Sequence, residues 1–528
     1  MIFDGIKGII LDFDGTVADS METWARLGIS LLEKNNVKYP DSIIRDVTPL
    51  GAVGTAKYFK NLGLNMTVEE IIAYVAKNAL YEYSNNIYLK NGAEKFLREQ
   101  KARGIRISIL SASSEEAIIP CLKRLGAEDI FEHIITCDKT GMLKSETKIY
   151  DYAANLMGLE KSEILYFDDN LGAIKASTAA GLKTVAVYDK SSLSDKEEIM
   201  KTADYYIHSF YELTDFKITV LDEKTLGDDI DMSPVTSLGN AKVYDLTPPE
   251  LQGERTADCD VIVTNKLKMN EQTLKNAKNV SLICVTATGY DNVDTEYCKK
   301  RGIAVCNIKG YSTDSVALIT VSTVLSLFTK LFSYREFVMR GGYTKSGCPN
   351  SLTPVFHELR GKTWGIIGYG NIGRAAAKIA EAFGCKVIYS RNTPDENAKS
   401  VDYICTHSDI ISIHTPLTDK TRNLINKERI EKMKDGVILV NEARGAVTDE
   451  KAVCDAVKSG KIGGFGSDVY TAEPFTENHP FWEIKDLENV CLTPHMAWGA
   501  FEARQRCIDE IAMNITAFLK TEKRNRIV

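Results

Sequence analysis

Short apolar runs that end in acidic or glycine-rich turns, each followed by a helical pattern, recur along this chain. The first is Gly8-Ile9-Ile10-Leu11, ending in Asp12-Phe13-Asp14. Ile107-Ser108-Ile109-Leu110-Ser111 and Tyr166-Phe167-Asp168-Asp169-Asn170 repeat the form. Lys217-Ile218-Thr219-Val220-Leu221 opens a new series, and Thr363-Trp364-Gly365-Ile366-Ile367-Gly368 ends in glycine. Runs this short and apolar, alternating with helices, predict α/β units with parallel sheets covered on both faces. Helices are expected over Ile149–Met157 and Arg374–Phe383, and residues 19–90 look mostly helical. The main boundary falls near Asp215, after Tyr211–Phe216. The linker is so short that the two halves should pack on each other.

Composition changes this picture little. At roughly 150 residues per unit, 528 residues predict three or four folding units. A hydrophobic share of 44% and a charged share of 26% suit a soluble globular protein. The net charge of -7 recommends neither nucleic acid nor an anionic membrane as a partner. The 12 cysteines form no CxxC pair and no Cys/His cluster, which reads as reduced thiols in a cytoplasmic protein. The N-terminal run carries acids and lacks a signal-peptide pattern, and no stretch reaches the length of a membrane span.

Candidate chemistry lies where the strands end. Asp12-Phe13-Asp14-Gly15-Thr16 sets two carboxylates two residues apart, pointing the same way from an extended chain. Alone, such a run could be a surface turn. Ser111, at the end of its strand, Lys144 in Gly141-Met142-Leu143-Lys144, and Asp168-Asp169 follow in order. Gly172-Ala173 and Ala179-Ala180-Gly181-Leu182 then read as a small-residue helix and its end. This ordered set resembles the haloacid dehalogenase-like hydrolase superfamily over residues 1 to about 215.

The resemblance implies that Asp12 attacks a phosphoryl group to form an aspartyl-phosphate. Asp14 would protonate the leaving oxygen and later activate water. Ser111 and Lys144 would hold the transferring oxygens. Mg²⁺ would be bound by Asp12, the backbone carbonyl of Asp14, and Asp169, with Asp168 acting from behind them. Lys148 rivals Lys144, its bland reading being a solvated helix residue. Residues 19–90 would form a cap that selects the substrate; Trp24, expected in its core, and Arg26 lie in it. The family's KPxP run reads Lys144-Ser145-Glu146-Thr147 here, without either proline. The same chemistry serves phosphomutases, which stay an alternative to a phosphatase.

The later glycines carry a second constellation. Gly368-Tyr369-Gly370-Asn371-Ile372-Gly373 between a strand and a helix is a dinucleotide-binding turn, with the pyrophosphate at the helix N-terminus. The next strand, Lys386-Val387-Ile388-Tyr389-Ser390, runs into Ser390-Arg391-Asn392-Thr393 rather than a carboxylate. That favours NADP(H), with Arg391 pairing the 2′-phosphate. In the rival reading Arg391 stacks on adenine and NAD(H) binds. Val440-Asn441-Glu442-Ala443-Arg444-Gly445 ends a strand in a guanidinium, Gly466-Ser467-Asp468-Val469-Tyr470 leads to Glu473, and Leu492-Thr493-Pro494-His495 places an imidazole past a strand. Of the other histidines, His414 beside Thr415-Pro416 is expected to line the cofactor site. His133, His208, His357, His407 and His479 read as surface or packing residues.

Arg444, Glu473 and His495 in this order after the glycine turn resemble the D-isomer-specific 2-hydroxyacid dehydrogenases over about 216–528. Val285-Thr286-Ala287-Thr288-Gly289-Tyr290-Asp291, Gly310–Ala317 and His495-Met496-Ala497-Trp498 look most like the hydroxypyruvate/glyoxylate reductase (glycerate dehydrogenase) branch. The resemblance implies that His495 exchanges a proton with the substrate oxygen while hydride moves, and that Glu473 favours its imidazolium. Arg444 would clamp the substrate carboxylate, aided by backbone N–H groups of Ala287, Thr288 and Gly289. Asp468 would bond the nicotinamide amide.

It also implies two lobes closing over the substrate: a Rossmann nucleotide lobe at 316–496, and a flavodoxin-like substrate lobe at 216–315 with 497–528 returning to it. A homodimer through this part is expected. Leu318-Ile319 stand where the family usually has Glu or Gln, a position assigned to packing between the lobes. The fusion suggests that the first unit frees a hydroxy acid on which the second acts. A non-catalytic NAD(H)-sensing protein is the alternative, opposed by the intact Arg444, Glu473, His495 and the Asp12/Asp14 pair.

Overall fold

The structure is a computed structural model that describes residues 2–47, 51–393 and 395–528. Residues 48–50, within the expected cap, lie outside the described residues. Three parallel sheets follow one another along the chain. The first holds β1 (Gly8–Leu11), β2 (Arg106–Ser111), β3 (His133–Thr136), β4 (Ile164–Asp168), β5 (Lys183–Val187) and β6 (Tyr205–Ile207), in the order β3-β2-β1-β4-β5-β6. The second holds β7 (Lys217–Val220), β8 (Asn240–Val243), β9 (Val261–Thr264), β10 (Leu282–Val285) and β11 (Ala304–Cys306), in the order β11-β10-β9-β7-β8. The third holds β12 (Thr363–Ile367), β13 (Lys386–Ser390), β14 (Ile410–Ile413), β15 (Val437–Asn441), β16 (Ile462–Ser467) and β17 (Val490–Leu492), in the order β13-β12-β14-β15-β16-β17. This is the α/β class the strand-and-helix pattern predicts. The central strands β1, β4, β9, β10, β14 and β15 are buried along their length, which is why they read as unbroken apolar runs.

In each sheet the order reverses beside the first strand, and such a switch point leaves a crevice at the strands' C-terminal ends. The crevice of the first sheet lies past β1 and β4, and that of the third past β12 and β14. The helix after β12 spans Asn371–Ala382 and so starts earlier than its apolar periodicity suggests, because the glycine turn itself enters it.

Between β1 and β2, helices Met21–Lys34, Gly51–Asn61 and Val68–Asn85 build a cap with its own core of Leu31, Leu32, Phe59, Leu64 and Ile71. Thr67 starts the last of these with a capping box to Glu70. Two backbone bonds close the hinge: Lys90 N–H to the Val17 carbonyl at 2.8 Å and Asp19 N–H to the Tyr88 carbonyl at 2.9 Å.

The C-terminal helix Phe501–Leu519 packs on the second sheet through Cys507, Ile508, Ile511 and Ile515. The first and second sheets are joined by only nine residues between β6 and β7, and the units do pack together. Lys95 donates to Asp260 at 2.6 Å and to the Asp215 carbonyl at 2.7 Å, and Tyr211 donates to Ser281 at 2.5 Å. Leu318 corrects an expectation. It is 58% exposed, because helix Thr313–Phe328 turns Val316, Ala317, Thr320 and Val321 inward and Leu318 away from the lobes. No single helix among the described residues is long and apolar enough to cross a membrane, although the bent pair Thr313–Phe328 and Leu331–Met339 passes by length and composition.

Candidate active sites

At the first crevice, β1 delivers Asp12 and β4 delivers Asp168 and Asp169. One carboxylate oxygen from each lies within 4.8 Å of the others. Lys144 bridges Asp12 and Asp168 at 2.8 Å each. Burial works against charge on Lys144, but the two flanking carboxylates outweigh it and raise its pKa. Burial, joined by Asp168 and Asp169, raises Asp12 well above the usual carboxylate range, against the pull of Lys144. Burial also pushes Asp169 up to about 7. Three converging carboxyls thus gather around Lys144, and Asp12 Oδ1 has no hydrogen-bond partner among the described residues. This oxygen-rich, over-negative set fits a hard divalent cation. Gly15 lets the turn come this close: it sits at φ +75°, and a Cβ there would meet the Asp169 carboxylate at 2.7–2.8 Å.

The other expected residues divide. Ser111 ends β2 next to this site, buried, and accepts from the Ser113 N–H at 3.1 Å. Lys148 pairs with Glu146 at 3.2 Å and is exposed, so the rival to Lys144 is removed from the site. The side chains around the expected metal set are placed as follows. The Asp168 carboxylate lies beside those of Asp12 and Asp169 and pairs with Lys144, and the Asp14 side chain points to other partners. It accepts from Ser20 and Ser113 at 2.6 Å each, and from Tyr83 of the cap. Tyr83 in turn accepts from Trp24 Nε1 at 3.0 Å, whereas Arg26 is exposed. Sequence reasoning missed Tyr83, since one tyrosine in a helical stretch reads as core.

The second candidate site lies between the second and third sheets. Gly368, at the end of β12, has φ +98°, and a Cβ there would strike the backbone of His414 and Thr415 at 2.7–2.8 Å. Its N–H and that of Tyr369 both donate to the Ser390 carbonyl at 3.0 Å. Gly370 then caps the helix that begins with Asn371, Ile372 and Gly373. The result is a bare helix N-terminus beside the switch point, a cradle for a pyrophosphate. His414, followed by Thr415-Pro416, borders it; burial lowers its pKa to about 4, so the ring is neutral.

A carboxylate stands further along the loop after β13. Asp395 accepts from Arg391 at 3.1 Å and from Tyr389 at 2.9 Å. The Arg391 expected to pair a 2′-phosphate thus already pairs with a carboxylate of the same loop.

Arg444, Glu473 and His495 gather at the C-terminal ends of β15, β16 and β17. His495 Nδ1 lies 2.6 Å from Glu473 Oε2, and the second Glu473 oxygen accepts from the Tyr470 N–H at 2.9 Å. Burial opposes ionisation of Glu473, but its hydrogen bond to His495 prevails and leaves its pKa lowered. His495 is held at φ 54°, in the left-handed region that a non-glycine residue seldom adopts. Asp468 locks this loop, accepting from the N–H groups of Met496 and Ala497 at 2.8 Å and from Thr493 at 2.6 Å.

Arg444 crosses to the other lobe. Its Nε is 3.6 Å from Asp291, and its guanidinium lies where a Cβ on Gly289 would be. Among the described residues, the N–H groups of Ala287, Thr288 and Gly289 make no backbone hydrogen bond. Lys266, just past β9, is a further cation here that sequence reasoning missed. The residue is exposed, yet the cleft walls desolvate its ammonium enough to lower its pKa, with Glu473 opposing. Its place at a strand's C-terminal end was the available signal.

Comparison with known proteins decides what these centres belong to. Residues 321–497 match the family described as D-isomer specific 2-hydroxyacid dehydrogenase, NAD binding domain. The glycerate dehydrogenase of Methylorubrum extorquens is 38% identical over 285 residues, covering 54% of this chain and 90% of that protein. The chain belongs to the D-2-hydroxyacid dehydrogenase family. A hydroxypyruvate reductase of Blautia hydrogenotrophica is 37% identical over 58% of this chain and 97% of its own length. Among solved structures, a D-lactate dehydrogenase from Aquifex aeolicus complexed with NAD and lactic acid aligns at 29% identity and a TM-score of 0.52, over 58% of this chain and 96% of that one.

These relatives leave the N-terminal part of this dehydrogenase uncovered. There, residues 9–187 match the haloacid dehalogenase-like hydrolases. The chain therefore joins a haloacid dehalogenase-like hydrolase domain to an oxidoreductase that acts on CH–OH donors with a nicotinamide cofactor.

Proposed function

We propose that the chain is a bifunctional enzyme. Its dehydrogenase part reduces a small 2-keto acid, glyoxylate or hydroxypyruvate, to the D-2-hydroxy acid. Its N-terminal part is a Mg²⁺-dependent phosphatase acting on a small phosphorylated metabolite. The observation that carries the first claim is the His495–Glu473 pair at 2.6 Å, set on one edge with Arg444.

When bound, the nicotinamide supplies or accepts the hydride. Arg444 and the free N–H groups of Ala287–Gly289 hold the substrate carboxylate and orient the carbonyl. His495 gives its proton to the carbonyl oxygen during reduction and takes it back during oxidation. Glu473 fixes the ring and supports the charged form. Lys266, at the mouth of the cleft, suits the polar end of a short substrate. Asp395 beside Arg391 would repel a 2′-phosphate and accept from a ribose hydroxyl, which favours NAD(H) over NADP(H).

In the N-terminal site Asp12 attacks phosphorus, the ester P–O bond breaks, and Asp14 protonates the leaving oxygen. Asp14 then takes a proton from water as it attacks the aspartyl-phosphate, releasing phosphate and regenerating Asp12. Lys144 and Ser111 neutralise and hold the phosphoryl oxygens. Asp12 and Asp169, with the backbone carbonyl of Asp14, would hold Mg²⁺. Exposed apolar side chains on 331–356, including Phe332, Met339, Leu352 and Val355, support a homodimer through the dehydrogenase part.

A two-panel screen tests the reading: 2-keto acids with NADH and NADPH, and phosphate esters with Mg²⁺. Turnover of glyoxylate or hydroxypyruvate, and of a small phosphate ester, is expected. Inertness of either panel refutes the corresponding half.

A further inference from the structure

The dehydrogenase site contains a carboxyl that this chemistry leaves idle. Glu442 directly follows β15 and is 8% exposed. Neither of its side-chain oxygens has a hydrogen-bond partner among the described residues. A buried, unpartnered carboxylate is costly, so such a group either keeps its proton or meets a ligand.

Strand register says where it stands. β15 and β16 are parallel, with Val440 opposite Gly466 and Asn441 opposite Ser467, so Glu442 comes opposite Asp468. Alternation along the strands puts both carboxyls on one face, just beyond the sheet's C-terminal edge. Asp468 already accepts from two N–H groups and a hydroxyl. Of two adjacent carboxyls in a dry site, the one without donors around it holds a proton most readily, and that one is Glu442. Burial and then Asp468 push it up to about 9. Glu442 is thus an O–H donor beside an acceptor, at the strand ends that carry Arg444 and His495.

A carboxamide presents the matching pair, a carbonyl oxygen next to an N–H. We propose that Glu442 is a cofactor-binding group: its O–H donates to the carboxamide oxygen of the bound nicotinamide, while Asp468 beside it accepts from the carboxamide N–H. This rests on the dehydrogenase reading and adds a donor to it.

The test uses the full chain and measures dissociation constants of NADH and of ADP-ribose, which lacks the nicotinamide. Glu442→Leu removes the donor, and Glu442→Gln keeps an N–H donor at similar size. The Leu variant is expected to bind NADH about tenfold more weakly, with ADP-ribose within about twofold of wild type. The Gln variant should lose less than about threefold. Equal weakening of both ligands, or no change in either, overturns the proposal. Should the Leu variant not fold, wild type with the thionicotinamide analogue decides. Its sulfur is a poor acceptor, and binding as tight as that of NADH contradicts a donor at this place. Failure of the wild type to bind either NADH or ADP-ribose would instead sink the dehydrogenase reading itself.

Discussion

Asp395 shows how one side chain can redirect a conclusion. A surface Arg–Asp pair is worth little to stability, but its charge matters to a ligand that carries a phosphate. Replacing Asp395 by Asn should lower KM for NADPH several-fold and leave that for NADH nearly unchanged, in steady-state assays with both cofactors. An unchanged preference would show that Asp395 does not face the ribose. Glu442 makes a second prediction at this scale. Its folded pKa, about 9, lies above the ordinary value of 4.5, so the folded chain keeps a proton that the unfolded chain releases. Stability from this group is complete below 4.5 and is lost as pH rises through 9. The Glu442→Gln chain, which does not titrate, should therefore gain on wild type between pH 6 and pH 8, by at most about 1.4 kcal/mol per unit. Urea midpoints of both chains at the two pH values check this, and a constant difference contradicts it.

Among the elements, the turn after β1 is the most constrained. Gly15 combines a left-handed φ with the Asp169 carboxylate packed where a side chain would be. Gly15→Ala should cut phosphatase turnover at least tenfold while keto-acid reduction stays within twofold, both measured on one preparation. Loss of both activities would mean that this turn supports the whole fold. Much of this level was legible beforehand, and for a physical reason. Strands buried on both faces must be apolar throughout, so Gly8–Leu11 and Val437–Asn441 announced themselves, and the residues ending them, Asp12 and Arg444, came with them. What stayed hidden depended on contacts made across the chain. Tyr83 reaches Asp14 from 69 residues away, Asp395 returns to Arg391 through a loop, and Glu442 acquires meaning only once Asp468 is opposite it. Leu318 misled for the same reason, since sequence gives the helix but not which face another surface will cover.

At the scale of the molecule, the hydrolase unit sits against the unit built on the second sheet through Lys95, Asp260 and Tyr211. The exposed apolar segment 331–356 immediately precedes the third sheet along the chain. Light scattering should therefore report twice the 58.6 kDa chain mass, and Met339→Glu with Val355→Glu should shift it to monomer. A monomeric wild type would count against a dimer through this segment. The central claim, two independent catalytic centres on one chain, has a more direct test. Asp12→Asn and His495→Ala chains are assayed side by side for phosphate-ester hydrolysis and for keto-acid reduction. The account predicts that Asp12→Asn abolishes hydrolysis and keeps reduction, and that His495→Ala lowers reduction by about 10² or more and keeps hydrolysis. Either variant retaining the activity assigned to its own site, or losing both, would contradict it.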